Sequence, residues 1–317
     1  MAAHPVMSVE EIPSGVLAHI AQDCGISCED VEDIYACTPF QTGILTHATT
    51  YVQRLVLSLH HSLEIDRFCS ALEHVISASE TLRTRFVDSE LGLVQVVVKK
   101  GRSPSDRVAR YSDSDLKSYL RQDGSRLMHM ATPLAWFAVI GRKLVATIHH
   151  AISDHYSLKF LVMDTWSVYQ GQKPFFHAPF KKFVEYCHAV DEEEAVAFWK
   201  SQFRGGTPAI FPSVPPEHTP EASRKSSREI LLENKSGLAA SMPCLLEVAW
   251  ILTAADYTGS KNVAFGYVMS GRSRALGGLE TTLGPTIATV PIQVGCLTRY
   301  TRPLVDECTN SPFLGEP

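Results

Sequence analysis

The stretch Ile148-His149-His150-Ala151-Ile152-Ser153-Asp154-His155-Tyr156-Ser157 joins two segments of opposite character. Before it, Leu134 to Ile140 and Lys143 to Ile148 are apolar runs flanking Gly141-Arg142, which predicts two strands joined by a two-residue hairpin. After it, Leu158, Leu161, Val162, Trp166 and Tyr169 recur at helical spacing, so Tyr156 to Tyr169 reads as a helix ended by Gly171 and Pro174. Two histidines, a carboxylate and a serine therefore lie where a strand hands over to a helix, a place where side chains are held rigidly yet reach solvent. An imidazole takes up a proton near neutral pH, and a nearby carboxylate fixes local geometry without sharing that proton. Ser157 reads as a bond near the helix start, a capping role that needs no chemistry. Spacing alone leaves a bland alternative open: the chain has 13 histidines, His60-His61 also falls at a strand end, and a histidine pair is commonly surface or satisfied core.

The flanking sequence extends the same alternation. Val9, Ile12, Val16, Leu17 and Ile20 have helical spacing and run into the turn-rich Gly25 to Asp30, so residues 1–30 read as a leader helix and linker. Tyr51 to Leu59 predicts a strand. Ile65 to Ser79 predicts a helix with Phe68, Leu72, Val75 and Ile76 on one face. Leu91 to Val98 is a further strand, and Asp113 to Met130 a polar-faced helix opening in a Ser/Asp cluster. Gln170 to Pro179 reads as a hinge. Beyond it come helices near Phe180 to Ala189, Glu192 to Phe203 and Leu245 to Tyr257, a Pro-rich loop from Thr207 to Pro220, and strands near Val263 to Val268 and Ile287 to Val294. The class is α/β, with lobes expected over 31–172 and 173–317.

Composition narrows the function. At roughly 150 residues per domain, 317 residues make two domains or one two-lobed unit. A net charge of -5, with no basic run beyond Lys99-Lys100-Gly101-Arg102, gives no stripe for nucleic acid. The longest apolar region, Leu245 to Ala255, contains Glu247 and falls short of the roughly 20 residues that span a bilayer. Met1 to Gly15 lacks a basic-then-apolar signal pattern, so a cytoplasmic protein with reduced thiols is expected. Cys24 and Cys28 could share a helical face, but no second ligand pair follows at zinc spacing, and no metal is expected. Gly277-Gly278 lacks the order of a phosphate-binding loop, and no Gly-x-Ser-x-Gly elbow occurs, which argues against nucleotide cofactors and serine hydrolases.

His149, His150, Asp154 and Ser157 match HHxxxDxxS, the fungal terminal-domain form of the HHxxxDG hallmark, and here the sequence resembles the condensation domains of nonribosomal peptide synthetases. Other family signatures lie in the family's order. Tyr35-Ala36-Cys37-Thr38-Pro39-Phe40-Gln41-Thr42-Gly43-Ile44-Leu45 resembles the YPCTPLQ-like first motif, and Glu80-Thr81-Leu82-Arg83-Thr84-Arg85-Phe86 the second half of RHExLRTxF. Phe180 to Tyr186 and Phe198-Trp199 correspond to the helices after the hinge. Gly271-Arg272 with Gly284-Pro285-Thr286-Ile287-Ala288-Thr289-Val290-Pro291 resembles the GR and GPxxxxxP segment. The resemblance runs over about residues 31 to 294.

It implies a chloramphenicol-acetyltransferase-like pseudodimer of two α/β lobes, with an interlobe tunnel and the HHxxxD segment at its centre. In the family, two substrates arrive on phosphopantetheine arms of carrier proteins, and an amine attacks a thioester to form an amide. Fungal terminal members often close the chain on itself instead. By this analogy His150 positions or deprotonates the nucleophile, while His149 and Asp154 are structural and Ser157 supports them. Asp154 pairs with an arginine, Arg272 as first choice and Arg83 as second. No cofactor is bound, and the implied partner is a phosphopantetheine-tethered substrate on a carrier protein. Three departures qualify the match: His155 stands where many members have glycine, Ala78-Ser79 replace an Arg-His pair, and the chain ends soon after Pro291 whereas family members continue. A stand-alone chain with an incomplete second lobe is therefore expected, with a homodimer or a partner covering its apolar sheet edges. Two functions compete. One is a condensation-type enzyme that forms an amide, ester or ring from a peptidyl intermediate; the other is a catalytically silent relic that binds a carrier protein or tailoring enzyme. The intact His149, His150 and Asp154 favour the enzyme, and the shortened lobe favours the relic. Plant-type acyl-CoA acyltransferases share His-x-x-x-Asp, but their DFGWG segment is absent.

Overall fold

The structure, a computed structural model, describes residues 8–46, 51–101, 108–111, 116–203, 208–209, 211–212, 224, 226–229, 241–273 and 277–295. Its elements begin with α1 (Ser14–Asp23), β1 (Val31–Ala36), α2 (Pro39–Leu45), β2 (Val52–Ser58), α3 (Ile65–Ala78), β3 (Thr84–Ser89), β4 (Gly92–Val98) and β5 (Val108–Tyr111). They continue with α4 (Leu116–Ser125), β6 (Ala135–Ile140), β7 (Lys143–His149), α5 (His155–Tyr169), α6 (Phe180–His188), α7 (Glu192–Gln202), α8 (Met242–Thr258), β8 (Asn262–Ser270) and β9 (Ile287–Gly295). Contacts divide the chain into two compact units, Met1–Val190 with Met269–Ala288 and Asp191–Val268 with Thr289–Pro317. Gln170 to Pro179 contains neither helix nor strand. Most of the Pro-rich loop from Thr207 to Pro220 lies outside the described residues.

The first unit carries two sheets, one of order β1-β4-β3 and one of order β2-β7-β6-β5. All their pairings are antiparallel except β5 with β6. β6 is buried along its whole length and β7 from Leu144 onward, because helices lie over both faces. On one face Phe137, Val139, Leu144 and Ile148 pack with Phe68, Leu72, Ile76 and Leu161 from α3 and α5. On the other, Ala138, Ile140 and Val145 meet Leu116, Tyr119 and Leu120 of α4. Double coverage is why these strands read as continuous apolar runs instead of alternating ones. Each fully buried Leu, Ile or Phe contributes about 1.5–3 kcal/mol of transfer free energy. The hairpin turn is Gly141-Arg142, with Gly141 at φ 54 in the left-handed region that glycine enters without strain.

The segment read as a leader and linker is part of the core. Ile20, Ala21 and Cys24 of α1 and its C-terminal turn are buried against Val31, Ile34, Val87, Val94 and Val96 of the three-stranded sheet. Arg85 donates to the Cys24 carbonyl, satisfying a group that the helix end leaves open. β1, β3 and β5 are not foreseen by the pattern reading. In β3 the polar Thr84 and Arg85 are buried beside Phe86 and Val87, so neither alternation nor an apolar run shows.

Asp123 of α4 bolts that helix to the larger sheet. Its buried carboxylate accepts from Trp136 Nε1 at 2.5 Å and Thr147 Oγ1 at 2.8 Å, and from Arg54. These donors stand on β6, β7 and β2, so one residue crosses three strands. Asp123→Ala should lose about 2–4 kcal/mol in urea denaturation, because it strands three donors of which Arg54 alone can rehydrate readily. Asp123→Asn, which keeps acceptors but no charge, should lose less.

Candidate functional site

His149 is the last residue of β7, and its side chain builds the turn that follows. The buried ring accepts the Ala151 N–H at Nδ1 (3.0 Å), while its own carbonyl accepts the Ile152 N–H (3.1 Å). His150 is held differently. Its backbone N–H donates to the Tyr51 carbonyl at 2.8 Å, and its Nδ1 lies 3.3 Å from the Ser153 carbonyl. A carbonyl only accepts, so Nδ1 carries the hydrogen and the lone pair of the neutral ring is on Nε2. Nε2 faces the side-chain amide of Gln53, which stands on β2 in register with Ile148. Burial lowers the pKa of His150, and the bond to the Ser153 carbonyl and the charge of Asp154 offset this only in part. The ring is therefore neutral at physiological pH, with one defined basic nitrogen.

Asp154 ends the turn and starts α5. Its Oδ1 accepts the Ser157 N–H at 2.8 Å, an N-cap bond. Arg272 Nη2 lies 2.9 Å from Oδ1 and 2.8 Å from Oδ2, and the Thr286 N–H donates to Oδ2 at 3.2 Å. Arg272 also donates to the carbonyls of Leu279 (3.3 Å), Thr282 (2.6 Å) and Gly284 (3.0 Å). Asp154 thus meets Arg272, the first of the two arginines considered. Arg83, the second, lies elsewhere: it grips Glu32 at 2.7 and 3.2 Å and the Val98 carbonyl, because the 81–83 turn packs against the end of the three-stranded sheet. Ser157 is not the cap itself but the third helical residue. Its hydroxyl donates to Asp154 Oδ1 (2.8 Å) and accepts the Gly284 N–H (3.0 Å).

The glycines of the 271–286 segment serve this packing. The Gly271 N–H donates to the Thr286 carbonyl at 2.8 Å, and a Cβ at Gly271 would stand 2.7 Å from that same oxygen. Gly284 adopts φ +123, and a Cβ there would run into the Phe180 ring. Both positions require the absence of a side chain.

A second clamp on this segment was not legible in the sequence. His177 Nε2 lies 2.6 Å from Oδ2 of the buried Asp164, and Nδ1 lies 2.7 Å from the Thr281 carbonyl. The Phe175 N–H donates to the other Asp164 oxygen at 2.9 Å. A ring whose two nitrogens both face acceptors is an imidazolium. Burial pushes the His177 pKa down and Arg272 repels the charge, but the bonds to Asp164 and Thr281 outweigh both and the net shift is upward. The only sequence signal was an aspartate beside Leu161 and Thr165 on the inward side of α5. Gln53 carried no signal at all, sitting unmarked in a strand. Cys24 is buried, its thiol pushed up to about 11 by burial, whereas Cys28 is exposed. Among the described residues no three His, Cys, Asp or Glu side chains gather as a metal site, and no helix is long and apolar enough to cross a membrane.

Two predictions follow from these clamps. Asp154→Ala leaves a buried guanidinium without its counter-charge and α5 without its cap, so unfolding free energy should drop by about 3–5 kcal/mol. For His177 the folded pKa lies above the unfolded one, near 6.5. Its contribution is then complete below about pH 6.5 and is lost as pH rises through the folded value. Denaturant midpoints should accordingly fall toward alkaline pH in the native chain, and less so in His177→Gln.

The family profile described as "Condensation domain" matches residues 31–301. Nonribosomal peptide synthetase valB of Aspergillus terreus is 53% identical over 244 residues, which are 77% of this chain and 9% of valB. Nonribosomal peptide synthetase sidD of Aspergillus fumigatus is 33% identical over 289 residues, 87% of this chain and 14% of sidD. The chain thus spans only a small part of the length of these relatives. Among solved structures, one described as SeMet-CT superimposes with a TM-score of 0.74 at 19% identity, covering 96% of this chain and 73% of that one. The epimerization domain from the third module of tyrocidine synthetase B gives 0.69 at 18% identity, over 86% and 71%. With the sequence match carrying the family and the superpositions carrying the fold, the chain belongs to the condensation-domain family of nonribosomal peptide synthetases, alongside fungal relatives, and has the chloramphenicol-acetyltransferase-like α/β fold of that family.

Proposed function

We propose that this chain joins an acyl thioester to a nucleophile in fungal peptide biosynthesis, forming an amide or ester or closing a peptidyl chain into a ring, with His150 Nε2 as the proton acceptor. The observation that carries the reading is the fixed tautomer of His150: Nδ1–H is committed to the Ser153 carbonyl, and Nε2 presents its lone pair beside Gln53. The acyl group would arrive as a phosphopantetheine thioester on a partner carrier protein. An amine or hydroxyl displaces the Gln53 amide from Nε2 and gives up its proton there. The new C–N or C–O bond forms at the thioester carbonyl, the C–S bond breaks, and the departing thiolate takes the proton back from the imidazolium. Asp154 touches no reacting atom in this scheme, and His149 sets the turn. The HHxxxDxxS pattern at 149–157 supports the terminal-type form of the reaction, in which nucleophile and thioester belong to one peptidyl chain, in a chain organised as lobes over 31–172 and 173–317.

The test is mass spectrometry of products when the purified chain meets a peptidyl thioester bearing an internal or added amine. Product should form, and His150→Ala should reduce turnover by roughly 10²–10⁴-fold with little change in thermal stability. Because burial lowers the His150 pKa, activity should also persist at pH values below the ordinary imidazole range near 6.5 and fall only with protonation of Nε2. Full turnover by His150→Ala would overturn the proton-acceptor role. Thioester-loaded carrier that binds yet yields no product would instead identify the chain as a binding relic.

A further inference from the structure

The turn that carries His150 is braced from a part of the chain far away in sequence. Gln41 lies in the first turn of α2, is fully buried, and uses every hydrogen-bonding group of its side chain that faces a partner. Its Oε1 accepts the Thr38 N–H at 2.9 Å, while its Nε2 donates to the Ala151 carbonyl at 2.8 Å and to Gln95 Oε1 at 2.9 Å. Gln95, fully buried in the middle of β4, donates from its own Nε2 to the Ala36 carbonyl at 2.9 Å.

The orientation of both amides is dictated by backbone groups of fixed polarity. Thr38 N–H can only donate, and the Ala151 and Ala36 carbonyls can only accept. Gln41 must therefore turn its oxygen to Thr38 and its nitrogen to Ala151, and Gln95 must turn its nitrogen to Ala36. That leaves the Gln95 oxygen for the second Gln41 hydrogen. Flipping either amide would set like groups against each other in a fully buried site.

Ala151 is the residue immediately after His150, and its peptide groups are pinned on both sides, the N–H by His149 and the C=O by Gln41. The chain from there to Ser153 carries the carbonyl that takes the His150 Nδ1 hydrogen. We propose that Gln41, steadied by Gln95, is the positioning residue that fixes the tautomer and aim of His150, an inference that rests on His150 being the proton acceptor. Without Gln41 the Ala151 carbonyl loses its buried donor. The turn then has reason to rotate that group outward, and the Ser153 carbonyl moves away from Nδ1. His150 would drift to the Nε2–H tautomer, which points a hydrogen instead of a lone pair at the nucleophile.

The experiment is a pH titration of the His150 ring by nitrogen-15 NMR in the full chain, with His150→Ala used only to assign its signals. The native chain should show a neutral ring protonated at Nδ1. Gln41→Met, close in shape but without donors, should shift the ring toward the Nε2–H tautomer and, because the lost bond to the Ser153 carbonyl favours the charged ring, lower its pKa further. Gln95→Met leaves the bond to Ala151 in place and should move both quantities in the same direction by less. Where turnover is measured, kcat should fall about 10–100-fold with KM little changed, as expected for a misaligned group. A merely structural Gln41 would lower the melting temperature and leave the imidazole signals of the folded protein where they were, and that result would overturn the proposal. Should Gln41→Met fail to fold, an unshifted His150 in Gln95→Met overturns it equally. Absence of product from every variant, native included, would count against the proposed reaction while leaving the NMR comparison decisive for Gln41.

Discussion

A carboxylate and a guanidinium buried together are expensive to desolvate, and the Asp154–Arg272 pair is tenable only because almost nothing on it is left open. Asp154 receives the Ser157 N–H, the Ser157 hydroxyl, the Thr286 N–H and Arg272. From Nη1 and Nη2, Arg272 also donates to the carbonyls of Leu279, Thr282 and Gly284, which leaves Nε as its one nitrogen without a partner among the described residues. With these bonds in place the pair does not so much add stability as exclude alternatives, since breaking any one contact strands a charge. Three things are settled at once: where α5 begins, how the 277–286 loop folds, and on which side of the turn His150 is left. His177 reinforces the arrangement from the other end of α5 by taking the Thr281 carbonyl, so the loop turns a row of carbonyls toward two cations.

The same residue type is driven in opposite directions within this one unit. His150 has a backbone carbonyl at one nitrogen and an amide at the other, and burial dominates, so its pKa falls. His177 has a carbonyl at one nitrogen and a carboxylate at the other, and the partners dominate, so its pKa rises. Neutral His150 is suited to accept a proton, and protonated His177 to hold a loop. What separates them is the direct bond from His177 to Asp164, since Asp154 is bonded to Arg272 and acts on His150 through its charge alone.

Much of this was legible in the sequence wherever local pattern and tertiary demand coincide. The β6–β7 hairpin, α3 and α5 follow from apolar runs, a Gly-Arg turn and helical spacing, because helices cover the strands on both faces. β1 was hidden because Glu32 and Asp33 interrupt its buried Val31, Ile34 and Tyr35, and β3 because a buried Arg85 looks like solvent-facing sequence until its partner is known. In the candidate site, His149, His150, Asp154 and Ser157 stood out at a strand-to-helix junction, and Arg272 was drawn in by the family resemblance. Gln53, Gln95, Asp164 and His177 were not, because a polar side chain within an apolar run gives no clue to which distant carbonyl it meets. Gln95 in the run Leu93 to Val98 is the instructive case: a glutamine amid valines signals a buried bond, but not its destination.

The ordered signatures scattered between residues 31 and 294 acquire a common physical meaning from these bonds. The first motif supplies Gln41 to the Ala151 carbonyl, the histidine segment supplies Asp154 to Arg272, and the glycine-proline segment supplies Gly284 and Thr286 to Ser157 and Asp154. Each bond joins groups more than a hundred positions apart, and each is buried. A buried polar group cannot be exchanged alone without leaving its partner unsatisfied, at a cost of about 1–3 kcal/mol. An apolar core residue faces no such demand, since a neighbour of similar volume will do. Segments bound in this way are constrained as one set, and that is why short polar and glycine motifs carry the long-range arrangement while the apolar runs between them carry only the local elements.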